Sequence, residues 1–146
     1  MRHGFVKVAV GTPSIRLADC AYNAERIFEL AKKAEAEKAK LLVLPELCVT
    51  GYSCKDLFLQ DSLIRAARKA LFSLAERTAG MDVLLVVGAP VERDGKLYNA
   101  AVCIQDGRIL AVAAKTKLPD YGDCVETRYF VIPQEEDKMI ELGDRE

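Results

Sequence analysis

Leu41-Leu42-Val43-Leu44-Pro45-Glu46 is the stretch on which the fold turns. Four apolar residues in a row, stopped by a proline, read as a strand buried on both faces, the kind found in sheets covered by helices. Upstream, Phe5-Val6-Lys7-Val8-Ala9-Val10 alternates and runs into Gly11 and Pro13, a strand ending in a turn. Between the two, Ala24, Ile27, Phe28, Ala31 and Ala34 recur at helical spacing, with Lys32, Lys33, Glu35 and Glu37 turned to solvent and Asp19 as the N-cap. Downstream, Glu46 to about Gln60 is a loop of mixed character. A second helix starts at Asp61, carries Ile64, Ala67, Leu71, Leu74 and Ala75 on one stripe, and has Gly80 just past its end. Val83 to Val87, followed by Gly88 and Pro90, is a third buried strand. After a turn at Arg93-Asp94-Gly95-Lys96, Leu97 to Ile104 and Arg108 to Ala113 form a hairpin around Gln105-Asp106-Gly107. The order is strand, helix, strand, helix, strand, hairpin, which makes an α/β (α+β layered) fold with no internal repeat. The charged stretch Pro133 to Glu146 offers one further strand candidate, Met139 to Leu142.

With 146 residues, 51% hydrophobic and 29% charged, the chain is sized and balanced for one soluble globular domain. A net charge of -1 supplies no field for nucleic acid or an anionic membrane. The longest apolar runs fall far short of the ~20 residues that cross a bilayer, and the start Met1-Arg2-His3-Gly4-Phe5 is no signal peptide. Cys20, Cys48, Cys54, Cys103 and Cys124 are odd in number, scattered and without C-x-x-C spacing, and His3 is the only histidine. No structural metal site is expected; reduced thiols and a cytoplasmic location are. With no G-x-G-x-x-G and no G-x-x-x-x-G-K-[ST], no nucleotide cofactor is expected in this chain.

Glu46 follows one strand and Lys115, in Ala113-Ala114-Lys115-Thr116-Lys117-Leu118-Pro119, follows another. Ligand sites in open α/β sheets collect at the carboxyl ends of strands, so a shared sheet edge would bring this carboxylate and this ammonium together. Taken singly, either is an ordinary solvated loop charge.

The surrounding residues say more. Leu44-Pro45-Glu46-Leu47, followed by Thr50-Gly51-Tyr52, resembles the glutamate signature of the nitrilase (carbon–nitrogen hydrolase) superfamily. Lys115-Thr116-Lys117-Leu118-Pro119-Asp120-Tyr121-Gly122 resembles its lysine signature. Gly51-Tyr52-Ser53-Cys54-Lys55-Asp56-Leu57-Phe58-Leu59-Gln60-Asp61 is similar to a run of the glutamine-dependent NAD synthetases of bacteria. So are Gly4 to Ala9, Ala18-Asp19-Cys20, Tyr22-Asn23 and Leu97-Tyr98-Asn99. The resemblance implies an α-β-β-α sandwich, incomplete in this chain, and residues 1–146 as the N-terminal part of a glutamine amidotransferase domain.

It also implies a Cys-Glu-Lys amidase that takes glutamine as substrate. Glu46 would be the general base and Lys115 the cation beside the oxyanion; Glu126 would be a second carboxylate supporting the lysine, and Tyr52 and Tyr121 the aromatic walls of the glutamine pocket. The ammonia released would pass to a separate synthetase domain of the same protein, which uses ATP and magnesium to amidate deamido-NAD. Lys117, Leu59, Asp123 and Cys124 depart from the family's usual aromatic, histidine, glutamate and phenylalanine. The family's nucleophile lies several elements beyond the lysine. Cys124, the one cysteine after Lys115, sits in the lysine loop itself, so the chain is expected to be a fragment that is inactive alone. The competing readings are a stand-alone carbon–nitrogen hydrolase and a truncated scaffold or regulatory module. Unpaired strand edges also make self-association into a homo-oligomer the expectation.

Overall fold

The computed structural model describes residues 4–134, 139, 140 and 142. Among them the elements run β1 (Val8–Val10), α1 (Cys20–Ala36), β2 (Leu41–Val43), a 3-10 segment (Tyr52–Leu59), α2 (Asp61–Arg77), β3 (Leu84–Arg93), β4 (Lys96–Gln105) and β5 (Arg108–Ala114). A small hairpin of β6 (Asp120–Tyr121) and β7 (Cys124–Val125) and a 3-10 turn (Glu126–Arg128) follow. The main sheet has five strands in the order β1-β2-β3-β4-β5; the first three are parallel, and β4 is antiparallel to both its neighbours.

Local chemistry accounts for the punctuation. Asp19 caps α1 by accepting from the Tyr22 N–H at 3.1 Å, as expected. The β3–β4 and β4–β5 connections each use an Asp-Gly pair, Asp94-Gly95 and Asp106-Gly107, with positive φ at all four residues. Two consecutive left-handed residues make the turn whose twist matches a hairpin. Asp106 also accepts from the Gly80 N–H at 2.9 Å, tying this turn to the end of α2.

Three expectations need correction. β1 is shorter than Phe5–Val10: its ladder with β2 opens at Val8, opposite Leu41 where β2 itself begins, so Phe5–Lys7 have no β2 residue to pair with. Leu41–Leu44 and Val83–Val87 are not buried on both faces among the described residues. α1 and α2 pack side by side on one face, over Leu42, Leu85, Val87, Val102, Ile104 and Val112. On the opposite face Val10, Val43, Val86 and Cys103 form a cross-strand row, in which Val10 is 86% and Val43 37% exposed. Of the candidate strand Met139–Leu142, Met139 makes a single antiparallel bridge to Ala113 and Ile140 donates to the Val112 carbonyl at 2.8 Å, while position 141 lies outside the described residues. The Met1-Arg2-His3 start and most of the charged stretch after Pro133 lie outside them as well.

Candidate active site

β2, β3 and β5 run in the same direction, so their carboxyl ends share one edge of the sheet. Glu46 leaves the end of β2 and Lys115 the end of β5. The loop that carries Glu46 lies directly on β3. A Cβ on Gly88 would stand 2.4 Å from the Leu47 nitrogen, 2.5 Å from the Pro45 oxygen and 2.7 Å from the Glu46 Cα. Only a glycine lets these two backbones approach so closely. The Val49 N–H donates to the Gly88 carbonyl at 3.2 Å, and the buried Asn23 holds the same loop from α1 by donating to the Val49 carbonyl at 2.9 Å.

Lys115 Nζ donates to Glu46 Oε1 at 2.6 Å and to both oxygens of Glu126, Oε1 at 2.9 Å and Oε2 at 3.1 Å. The two carboxylates differ in their surroundings: the Glu46 side chain is 41% exposed and that of Glu126 5%. Tyr52 donates its hydroxyl to Glu126 Oε1 at 2.8 Å. Burial works to raise the Glu126 pKa, but hydrogen bonds from Lys115, Tyr52 and Asn99 outweigh it and hold the carboxyl below its ordinary value. For Lys115, burial works to lower the pKa, and its bonds to Glu46 and Glu126 reverse the outcome, so the ammonium is held above lysine's ordinary value. Burial, together with the acceptor Glu126, pushes the Tyr52 phenol up, which keeps it a donor.

Of the residues singled out in the sequence, Glu46, Lys115, Glu126 and Tyr52 thus meet in one cluster. Tyr121 stands apart on β6, 73% exposed. One participant was not foreseen. Asn99, on β4 and 3% exposed, donates its side-chain amide to Glu46 Oε1 and, at 3.1 Å, to Glu126 Oε2; its carbonyl accepts from the Lys115 N–H at 2.8 Å. The signal that could have found it is a primary amide in a strand paired with the one that ends at Lys115. Asp56 plays a part at the periphery: it accepts from Arg128 at 3.0 and 3.2 Å and from the Tyr129 hydroxyl at 3.0 Å, tying the glutamate loop to the turn that carries Glu126. A cavity of about 540 Å³ opens beside the cluster, with Tyr52, Glu126, Cys124, Asp123, Lys55 and Arg128 among its lining.

In such an arrangement the accessible carboxylate can take a proton, while the fixed ammonium, braced by the buried carboxylate, can stabilise a developing oxyanion. Four of the chain's thiols are poor candidates to complete it. Burial pushes Cys20 and Cys48 up to about 11 and raises Cys54 and Cys103 as well. Among the described residues no group of three or more His, Cys, Asp or Glu side chains is arranged to hold a metal ion, and no helix is long and apolar enough to cross a membrane.

Residues 7–144 match the carbon-nitrogen hydrolase family. The glutamine-dependent NAD(+) synthetase of Mycobacterium tuberculosis is 39% identical over 142 residues, which is 97% of this chain and 21% of that protein. The chain therefore spans about one fifth of the length of the curated relatives it matches. The crystal structure of a glutamine-dependent NAD(+) synthetase from Cytophaga hutchinsonii superposes with a TM-score of 0.83 at 28% identity, over 89% of this chain and 22% of that one. An amidase from Nesterenkonia sp. superposes at 0.73 with 26% identity, over 92% of this chain and 51% of that one. A mutant of that amidase shows covalent addition of the acetamide moiety of fluoroacetamide at its active-site cysteine.

Proposed function

Because the chain belongs to the carbon–nitrogen hydrolase family, we propose that it supplies the Glu46–Lys115–Glu126 side of a Cys-Glu-Lys centre that hydrolyses the side-chain amide of glutamine. The observation that carries this reading is the bridging position of Lys115 Nζ, which contacts the exposed Glu46 and the buried Glu126 at once. A thiol provided from outside this chain's five cysteines would give its proton to Glu46 and attack the amide carbon. The oxyanion that forms would lie beside Lys115, whose charge is already fixed in place. Collapse expels ammonia, which takes up the proton held by Glu46, and leaves a thioester. Glu46 then takes a proton from water, the hydroxide cleaves the thioester, and glutamate departs with the thiol restored. Glu126 keeps Lys115 oriented and charged throughout. The covalent adduct at the cysteine of the Nesterenkonia amidase mutant supports a nucleophilic cysteine as the third member of such a centre.

The glutamine-dependent NAD(+) synthetases, 39% identical in the Mycobacterium tuberculosis case, support glutamine as the amide and amidation of deamido-NAD as the use of the ammonia. ATP and magnesium belong to that second reaction, on a synthetase domain of the same protein, and no step at Glu46 or Lys115 needs them.

A glutaminase assay with two arms tests the proposal. The 146-residue chain alone is expected to release no ammonia from glutamine above background. A hybrid in which it replaces the matching segment of the Mycobacterium tuberculosis synthetase is expected to turn glutamine over, and Glu46→Gln or Lys115→Met should lower kcat by about 10²–10³-fold. NAD formation by the hybrid from added ammonium reports that it is folded. Ammonia release by the chain alone, abolished by Cys124→Ser, would assign the nucleophile to Cys124 and overturn the reading.

A further inference from the structure

Both donors that the described residues supply to Glu46, the Lys115 ammonium and the Asn99 amide, land on the same oxygen, Oε1. Asn99 has two amide hydrogens and a fixed place on β4, where its own carbonyl holds the Lys115 backbone at 2.8 Å. The second hydrogen goes to Glu126 Oε2 at 3.1 Å. The neutral amide bridges the two carboxylates without adding a competing charge, and its bond to Glu126 favours that group's charged form.

We propose that Asn99 is a positioning residue of this centre: by occupying Glu46 Oε1 together with Lys115 and bracing Glu126 Oε2, it leaves Glu46 Oε2 as the oxygen that accepts the thiol's proton. The claim rests on the glutaminase reading above for its chemistry and on the two amide bonds for its geometry. Among the described residues the other groups that face these carboxylates are Lys115 from the end of β5, which bonds both, and Tyr52 from the 3-10 segment, which donates to Glu126, with Cys124 of β7 against the Tyr52 phenol. Replacing Asn99 removes a donor from each carboxylate and leaves the Lys115 ammonium between the two, with the Tyr52 phenol on Glu126.

Two measurements test this, one of them independent of activity. In the 146-residue chain carrying carbon-13 in its glutamate carboxyls, the Glu126 signal should titrate at a higher pH in Asn99→Leu, and higher still in the nearly isosteric Asn99→Asp, than in the unsubstituted chain. In the hybrid enzyme both variants should lower kcat for glutamine by at least about tenfold with little change in KM, and should move the acid limb of the pH–rate profile upward. A merely structural asparagine would lower the rate at every pH and leave that limb in place. Should the leucine variant not fold, Asn99→Ser, which keeps one donor in less volume, must still move the limb. Unmoved titration and an unmoved limb in folded variants overturn the proposal. If the unsubstituted hybrid hydrolyses no glutamine, the glutaminase reading fails, and the carboxyl titration alone decides whether Asn99 organises the carboxylates.

Discussion

Of the two carboxylates on Lys115, Glu126 is the one shut away from water, its side chain 5% exposed against 41% for Glu46. Its pKa is lower folded than the ordinary 4.5, so its ionisation adds stability above that value, which is lost as pH falls through the folded pKa. The Lys115 pKa is raised above 10.5, so its contribution is complete below that value and fades as pH climbs through the folded pKa. Lys115→Met should therefore cost about 3 kcal/mol near neutral pH, where a buried carboxylate loses its cation, and much less at an acid pH below the folded Glu126 pKa, where that carboxylate is protonated. Urea unfolding at the two pH values measures this, and an equal cost at both would mean that Lys115 does not act through Glu126. Glu46 and Lys115 were legible in the sequence because each follows a strand, a placement that local pattern reveals. Glu126 was legible only through family likeness. Asn99 was noted only within a family-like run and given no role: its partners lie 53 and 27 residues away, and nothing local to Leu97-Tyr98-Asn99 says which side chains its amide will meet.

At the scale of elements, the contact between β3 and the glutamate loop admits no added atom. The three atoms that a Gly88 Cβ would strike, the nearest at 2.4 Å, are all backbone, so no side chain can swing aside. Gly88→Ala should cost about 1–3 kcal/mol and lift Glu46 away from Lys115. Thermal unfolding gives the first quantity, and a crystal structure of the variant gives the second. An unchanged Glu46–Lys115 distance would show that β3 yields instead of the loop. The two Asp-Gly turns were readable in advance because each needs two residues that tolerate positive φ. The cover on the sheet was not. A continuous apolar run such as Leu41–Leu44 identifies a strand, but the layers that cover it are set by where the helices pack, and here both pack on one side. The segment Tyr52–Leu59 also resisted reading, since it joins two helical turns across a kink at Lys55, whose φ of 48° and ψ of -128° fit no regular period.

For the molecule as a whole, the open sheet face and the outer edge of β1, unpaired among the described residues, bear on association. Val8, Val10 and Val43 are 61%, 86% and 37% exposed on that face. Apolar faces beside free strand edges draw other chains. The chain is expected to self-associate at roughly 10–100 µM, a range in which light scattering is sensitive, and Val10→Lys with Val43→Lys should reduce the association without unfolding the protein. A monodisperse monomer of the unsubstituted chain throughout that range would refute this. The way the chain is strung through the fold has a further effect, on the order of events. β3, β4 and β5 are joined by two-residue turns, so their ladder can zip up with almost no loop to close. The bonds of the centre instead span 69 residues from Glu46 to Lys115 and 74 from Tyr52 to Glu126, a much larger loss of chain freedom for each contact. The meander is thus a platform that can form early, and the catalytic corner closes upon it at a larger cost in chain freedom.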